Sequence, residues 1–314
     1  MQARQSATLR SHAPLPSLPD EHEASRRFPS WDMVRAHFDQ GRLIFDRQQG
    51  LDRALAAGFF LLRIPGTLQL EASDRFARHF FQEQAGGDLA AFTGYKQRAI
   101  PGDYQGYFDR EHDQWENFYI ERRNWSVLPV DVTHAGQGMA DLGLAVLRSV
   151  LQHLKIPADQ WPLVTGGLTA MQGHQMLAFN HFRPDKAVRG SKFHRDSGWV
   201  TVLRSTSPGL LAYINGGLHS INPEPGHFIV NFGSSLEVLT AQMSRPVRAN
   251  IHGVARTIRT PGQAHRVSYV IFLDSDLSGD IYQYRDDAPV KVQSVKEFAI
   301  QEVGRTYDKF EQLL

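Results

Sequence analysis

The chain has 314 residues, 41% hydrophobic and 21% charged, with 34 Lys and Arg against 33 Asp and Glu and a formal net charge of +1. That length supplies a sizeable core for one large domain or two closely packed ones, while near-neutrality gives no basic footprint for nucleic acid and no apolar run of about 18 residues offers a membrane span. Cysteine is absent, which removes disulfides, thiolate metal sites and cysteine nucleophiles, and the N-terminus lacks the apolar core of a signal peptide, so a cytoplasmic protein is expected.

Residues 1–28, rich in Pro, Ser and charge, read as a loosely ordered leader. From Trp31 to Ala57 the pattern reads as helix, with Leu51 and Leu55 on a buried face, until Gly58 stops it. Phe59-Phe60-Leu61-Leu62-Arg63-Ile64 then reads as a strand closed by Pro65-Gly66. A second helix is expected over Asp74–Gln84, an irregular stretch over Gly86–Gln114, and a third helix over Gly138–Leu154. These elements make residues 29–165 a helical or mixed region packing on a downstream core.

From Leu168 the texture changes to short β-branched and aromatic runs: Trp199–Leu203, Gly209–Ile214, His227–Phe232, Arg248–Ile258 and Arg266–Leu273. Turn signals separate them, among them Ser207-Pro208-Gly209, Asn215-Gly216-Gly217 and Pro223-Glu224-Pro225-Gly226. Many short strands at this spacing argue for a β-sandwich or jelly roll over residues 166–280, so the fold class is mainly β with flanking helices (α+β). Residues 281–314 are assigned to a C-terminal helix and candidate lid. There Ser294 and Glu297 form a capping-box pattern, followed by Val295, Phe298, Ala299, Val303, Tyr307 and Phe310 at helical spacing.

The chemistry centres on His194-Arg195-Asp196. Residues two apart on an extended strand share a face, so His194 and Asp196 can grip one ion. With His252 as a third donor they would make the facial triad of a non-haem Fe(II) site, leaving coordination positions open. An exposed ion pair at a strand start is the plainer alternative for the first two. The triplet also spells the His-Arg-Asp of a protein-kinase loop, but that loop needs Asn where Thr201 stands. Gly136-Gln137-Gly138 fails as a nucleotide loop because Asp141 takes the place of the third Gly.

The segment resembles the isopenicillin N synthase-like family of Fe(II)/2-oxoglutarate-dependent dioxygenases. The family pattern His-x-Asp-x-Gly-x-x-Thr-x-Leu is met in register by His194, Asp196, Gly198, Thr201 and Leu203. Pro223-Glu224-Pro225-Gly226, Asn231-Phe232-Gly233 and Leu236-Glu237-Val238-Leu239-Thr240 continue it, while Gly58-Phe59-Phe60 and Glu116-Asn117-Phe118 resemble the N-terminal region. The resemblance implies a double-stranded β-helix (jelly-roll) core holding Fe(II) on His194, Asp196 and His252. Arg266, Ser268 and Asn180 would bind the co-substrate 2-oxoglutarate, with O2 as second co-substrate.

His265 competes for the third ligand, since His265-Arg266-Val267 copies the family's His-Arg-Val text. Adjacent strand residues face opposite ways, however, so His265 and Arg266 cannot both point inward, and His252 is favoured. The family often has Asn-x-Tyr where this chain has Asn180-His181-Phe182, so Phe182 brings no hydroxyl to the co-substrate.

The implied activity is oxidation of an unactivated C–H of a small molecule, by hydroxylation, desaturation or cyclisation, in specialised biosynthesis. Tyr119, Arg122, Arg123, Arg183 and Arg204 are candidates to meet the substrate, with solvated surface arginines as the bland alternative. Two other readings remain: an oxidase of the isopenicillin N synthase type that uses no 2-oxoglutarate, and a non-catalytic metal-binding β-sandwich module. Neither a nucleic-acid nor a membrane partner is expected.

Overall fold

The computed structural model describes residues 28–258 and 261–306. The leader lies almost wholly outside them, as do Tyr307, Phe310 and the side chain of Val303. In chain order the strands are β1 (Arg35–Asp39), β2 (Arg42–Phe45), β3 (Phe59–Arg63), β4 (Gly106–Asp109), β5 (Trp115–Glu121), β6 (His174–Phe182), β7 (Ser191–His194) and β8 (Val200–Ser205). They continue with β9 (Leu210–Ile214), β10 (Gly217–Ser220), β11 (His227–Phe232), β12 (Ile251–Val254), β13 (Val267–Asp274), β14 (Asp280–Arg285) and β15 (Ala288–Ser294). The α-helices are α1 (Gly50–Ala57), α2 (Glu71–His79), α3 (Val130–His153), α4 (Trp161–Val164), α5 (Ser234–Thr240) and α6 (Val295–Thr306).

Nine strands form one sheet in the order β2-β1-β3-β11-β8-β13-β6-β5-β4, and four form a second in the order β10-β9-β12-β7. The two face each other as a jelly roll. Alternation sorts the side chains of the large sheet: Phe59, Leu61, Ala178, Phe182, Leu203, Ile229 and Val270 turn inward to Leu210, Ala212, Ile214 and Val254 of the small sheet. Their chain neighbours Phe60, Leu62, Phe179, Val202, Val230 and Ile271 turn outward into a larger apolar layer with α3 and Phe76 of α2. Each strand of the large sheet therefore has one face toward the cavity and one toward the helices, and a residue's parity decides which it meets.

Five expectations need correction. The stretch from Trp31 to Ala57 is a helix only over α1; before it, β1 and β2 form a hairpin in which Asp39 pairs with Arg42. Gln40 and Gly41, at φ 46° and 77°, make the two-residue turn whose positive φ values suit hairpin twist. The second helix lies earlier, at Glu71–His79, and the stretch expected to be irregular contains β4.

The third helix begins at Val130, eight residues before the expected start at Gly138. Its glycines read as breakers, yet a Cβ on Gly136 would lie 3.1 Å from Leu177, and one on Gly143 would lie 2.6 Å from Leu273. Close packing on the sheet explains them. Residues 281–294, assigned to a C-terminal helix, instead belong to the hairpin of β14 and β15 around Asp286 and Asp287, both at positive φ. Helix α6 starts only at Val295, where Ser294 Oγ receives the Glu297 N–H at 3.2 Å and the Glu297 carboxylate accepts from the Ser294 N–H at 3.2 Å. Its Val295 and Phe298 pack on Val238 and Ile281. Among the described residues no helix is long and apolar enough to cross a membrane.

Candidate metal centre

His194 ends β7 and His252 lies near the start of β12, and the two are direct partners across that strand pair. Asp196 follows β7 by two residues. One donor atom from each of these three side chains lies within 4.8 Å of the others. The Nε2 atoms of His194 and His252 stand 3.7 and 3.6 Å from Asp196 Oδ1. Those separations exceed hydrogen-bonding distance and suit donors arranged around a shared ion.

The surrounding bonds aim these atoms. His194 Nδ1 donates to the Lys192 carbonyl at 2.9 Å and His252 Nδ1 to the Asn250 carbonyl at 3.1 Å, which leaves the Nε2 lone pair of each ring facing the cluster. Asp196 Oδ2 accepts from the Thr201 hydroxyl at 2.6 Å and from Asn231 Nδ2 at 2.7 Å, so Oδ1 is the oxygen turned to the imidazoles. Thr201 on β8 and Asn231 on β11 both have inward parity and come from the large sheet. The sequence pattern contained both residues but gave neither this task.

Electrostatics agree with the geometry. Burial, followed by the nearby His252, pushes the His194 imidazole down to about 4, so it is a neutral donor at physiological pH. Burial alone would raise the Asp196 carboxyl, but His252, His194 and the bonds from Thr201 and Asn231 outweigh it and hold the group below the usual carboxylate range. Two imidazoles and one carboxylate are a donor set that fits a divalent transition metal.

Deeper between the sheets is a second polar group. Arg266 immediately precedes β13 and is 5% exposed. Its Nε donates to the Pro208 carbonyl at 3.0 Å, and its guanidinium lies 4.3 Å from the Phe182 ring centroid. Its Nη1 is buried with no hydrogen-bond partner among the described residues. Burial pushes the guanidinium down to about 10. A buried cation with an unused donor fits an incoming carboxylate.

Ser268 and Asn180 face each other across β13 and β6, with Asn180 Nδ2 3.3 Å from Ser268 Oγ. Asn117 on β5 donates to Asn180 at 2.6 Å, and Arg110 Nε donates to Asn117 at 3.2 Å. Phe182 brings no hydroxyl, as its identity dictates, but its ring face supports the guanidinium through a cation–π contact. Asn117 and the ring of Phe182 were missed as participants; their inward parity on β5 and β6 was the available signal.

The substrate candidates fare differently. Tyr119 is on the inward face of β5, packed with Trp115 against the inner cluster. Arg122 is exposed and bonds Gln175 at 3.2 Å, and Arg123 is exposed and pairs with Glu121 at 2.9 Å. Arg183 is committed elsewhere: it pairs with Asp109 at 2.6 Å and donates to the carbonyls of Arg110, Gln114 and Trp115, binding β6 to the segment before β5. Arg204 has outward parity on β8 and pairs with Asp74 of α2 at 3.1 Å, where the Tyr269 hydroxyl also donates. Both Arg183 and Arg204 are thus structural cations rather than cavity groups. His265 is exposed, and its Nδ1 lies 2.8 Å from His181 Nε2 on the outer face, away from the cluster.

Residues 173–275 match the 2OG-Fe(II) oxygenase superfamily. Over 105 residues the chain is 34% identical to 2'-deoxymugineic-acid 2'-dioxygenase of Hordeum vulgare, covering 32% of this chain and 29% of that protein. Over 115 residues it is 28% identical to oxoglutarate-dependent flavonoid 7-O-demethylase 1 of Ocimum basilicum, covering 35% and 29%. The chain thus aligns with 29% of the length of each of these curated relatives.

The fold is shared more widely. The crystal structure of JOX2 in complex with 2OG, Fe and JA superimposes with a TM-score of 0.67 at 18% identity, covering 92% of this chain and 90% of that one. The crystal structure of the dioxygenase for auxin oxidation in rice gives 0.57 at 19% identity, covering 85% and 94%. The His-Asp-His cluster, the buried arginine and the asparagine–serine pair all lie within residues 173–275, the segment that matches the 2OG-Fe(II) oxygenase superfamily.

Proposed function

We propose that this protein is an Fe(II)- and 2-oxoglutarate-dependent oxygenase that oxidises an unactivated C–H of a small molecule, by hydroxylation, desaturation or cyclisation, in specialised biosynthesis. The observation that carries the reading is the pairing of two unfinished groups between the two facing sheets. One is a three-donor cluster with its lone pairs converging; the other is a buried arginine with a donor unused. Fe(II) held by His194, Asp196 and His252 would supply, with O2 and 2-oxoglutarate, the oxidising power for the C–H bond, releasing succinate and CO2.

The chain's own residues do the positioning. Arg266 offers a fork of N–H donors to the distal carboxylate of the co-substrate, and the Ser268 hydroxyl can add a further donor. Asn180, held by Asn117, fixes the lone pairs of Ser268 and so directs its proton away from the sheet. Thr201 and Asn231 keep Asp196 ionised and rotated. A cleft of about 250 Å³ reaches Phe59 from outside, bordered by Trp31, Arg53 and Ile214. Phe59 stands edge-on to His252 with ring centroids 5.7 Å apart. Phe59 is thus shared between that cleft and the surroundings of His252.

An oxidase that needs no 2-oxoglutarate can keep the Arg-x-Ser pair, so succinate release is what separates it from this reading, and a structural zinc module would call for a fourth donor that the cluster does not show among the described residues. The deciding experiment measures succinate release from 2-oxoglutarate under air with Fe(II). Wild-type protein forms succinate, His252→Ala neither retains Fe(II) nor forms it, and His265→Ala retains Fe(II). Full succinate formation by His252→Ala would overturn the assignment.

A further inference from the structure

On the outer face of the large sheet a second polar chain runs behind the cavity. Glu116 and His181 are 2% and 3% exposed. Glu116 Oε1 is 2.7 Å from His181 Nδ1, and His181 Nε2 is 2.8 Å from His265 Nδ1. Phe81 stacks on the His181 ring, and the Tyr107 hydroxyl donates to the other oxygen of Glu116. Nothing in the proposed reaction uses this chain directly.

Its members are the sequence neighbours of the inner anchors. Glu116 precedes Asn117, His181 lies between Asn180 and Phe182, and His265 precedes Arg266. Because adjacent residues on a strand point to opposite faces, a tie among the three outer groups fixes the three backbones that carry the inner ones. Glu116 and His181 are cross-strand partners, and His181 is also the partner of Val267. Residues 263–266 precede β13 and are joined to β6 by the bond from the Phe182 N–H to the Arg266 carbonyl at 3.0 Å, and the ring of His265 adds a side-chain tether to the segment that delivers Arg266.

We infer that the Glu116–His181–His265 chain is a positioning device that sets the affinity for 2-oxoglutarate by holding Arg266 in place. The inference rests on the reading above that Arg266 receives the co-substrate carboxylate.

The proton count fixes the direction of each bond. The Glu116 carboxylate accepts from His181 Nδ1–H, so the neutral His181 ring presents a lone pair at Nε2, and His265 Nδ1–H donates to it across 2.8 Å. Burial lowers the His181 imidazole and keeps it the neutral acceptor. The charged groups facing the chain are Glu116 itself, Lys96 at 3.3 Å from it and Arg183 at 3.9 Å, with Tyr107 from β4. Burial alone would raise the Glu116 carboxyl, but the bonds from His181 and Tyr107 and the nearby cations bring it down to about 2, so the anionic end of the chain persists in mild acid.

The test is calorimetric titration of 2-oxoglutarate into anaerobic, Fe(II)-loaded protein between about pH 6 and about pH 8, with Fe(II) affinity measured in parallel. His265 is exposed, so its variants should fold. His265→Ala is expected to weaken 2-oxoglutarate about tenfold, the loss of one well-placed hydrogen bond, with Fe(II) affinity unchanged. His265→Asn places an amide N–H near the Nδ1 position and cannot titrate. It should restore binding to within about twofold of wild type.

A histidine that only fills space would show no such recovery. Equal affinity in wild type and His265→Ala, or a loss that Asn does not repair, overturns the inference while leaving the oxygenase reading intact. Wild-type protein that takes up Fe(II) but no 2-oxoglutarate defeats the oxygenase reading, and this inference with it.

Discussion

Replacing Arg266 by Met should separate ligand binding from folding. The guanidinium is buried and its ionisation is pushed from 12.5 down to about 10 by desolvation, which corresponds to about 3 kcal/mol of unfavourable charge burial. Within the described residues only the Pro208 carbonyl and the Phe182 ring compensate it. Removing a poorly compensated buried charge in favour of an apolar side chain of similar length is commonly neutral or stabilising.

For the co-substrate the sign reverses. A carboxylate that satisfies the fork gains about 3 kcal/mol of charge-assisted hydrogen bonding, on the order of 100-fold in Kd. Thermal melts and calorimetry with anaerobic Fe(II) protein test both halves. Without 2-oxoglutarate, Arg266→Met should melt at or above the wild-type temperature; with it, only wild type should gain stability. A variant that melts far below wild type and binds 2-oxoglutarate within about threefold of it would show that Arg266 serves the fold and not a ligand.

Two further outcomes follow from the geometry around Asp196. Asn231→Leu removes the 2.7 Å donor to Oδ2 and frees the carboxylate to rotate, so Fe(II) affinity measured against a competing chelator should fall by about 10- to 100-fold; unchanged affinity would dismiss the role given to Asn231. Asp274, raised to about 6 by burial and by the neighbouring Asp196, has a folded pKa above its unfolded value of 3.8, so the folded state holds the extra proton. Its penalty is absent below about pH 4, grows as pH rises through about 6, and reaches at most about 3 kcal/mol. Metal-free Asp274→Asn should therefore melt above wild type at pH 8 and level with it at pH 4. An equal difference at both pH values would refute the linkage.

The parts of the site legible in the sequence were those encoded locally. His194 and Asp196 stand two apart, and the Gly198, Thr201 and Leu203 that follow mark a strand entering a sheet. The alternation rule also separated His265 from Arg266 correctly: the arginine is inside the cavity and the histidine outside. The same rule, applied to β8, would have turned Arg204 away from the cavity with Val200 and Val202, but sequence alone does not say which face of that strand looks inward.

What the sequence concealed is non-local or stereochemical. The bonds joining Glu116 to His181 and His181 to His265 span 65 and 84 residues. The two short hairpins turn on Gln40-Gly41 and Asp286-Asp287, pairs that betray themselves only through positive φ. Helix α3 hides its first turns behind Gly136 and Gly138, which lie close against Leu177 and Leu68, where propensity alone argues for a break.

The cluster's three donors answer to different layers. Both imidazoles belong to the four-stranded sheet, whereas the carboxylate is steered by hydroxyl and amide groups of the nine-stranded one. An ion gripped by all three is consequently a clasp across the sandwich, linking walls that otherwise adhere through apolar contact. Loading the metal should slow amide exchange in β7, β12, β8 and β11 together, and stripping it should let the two walls breathe as separate plates.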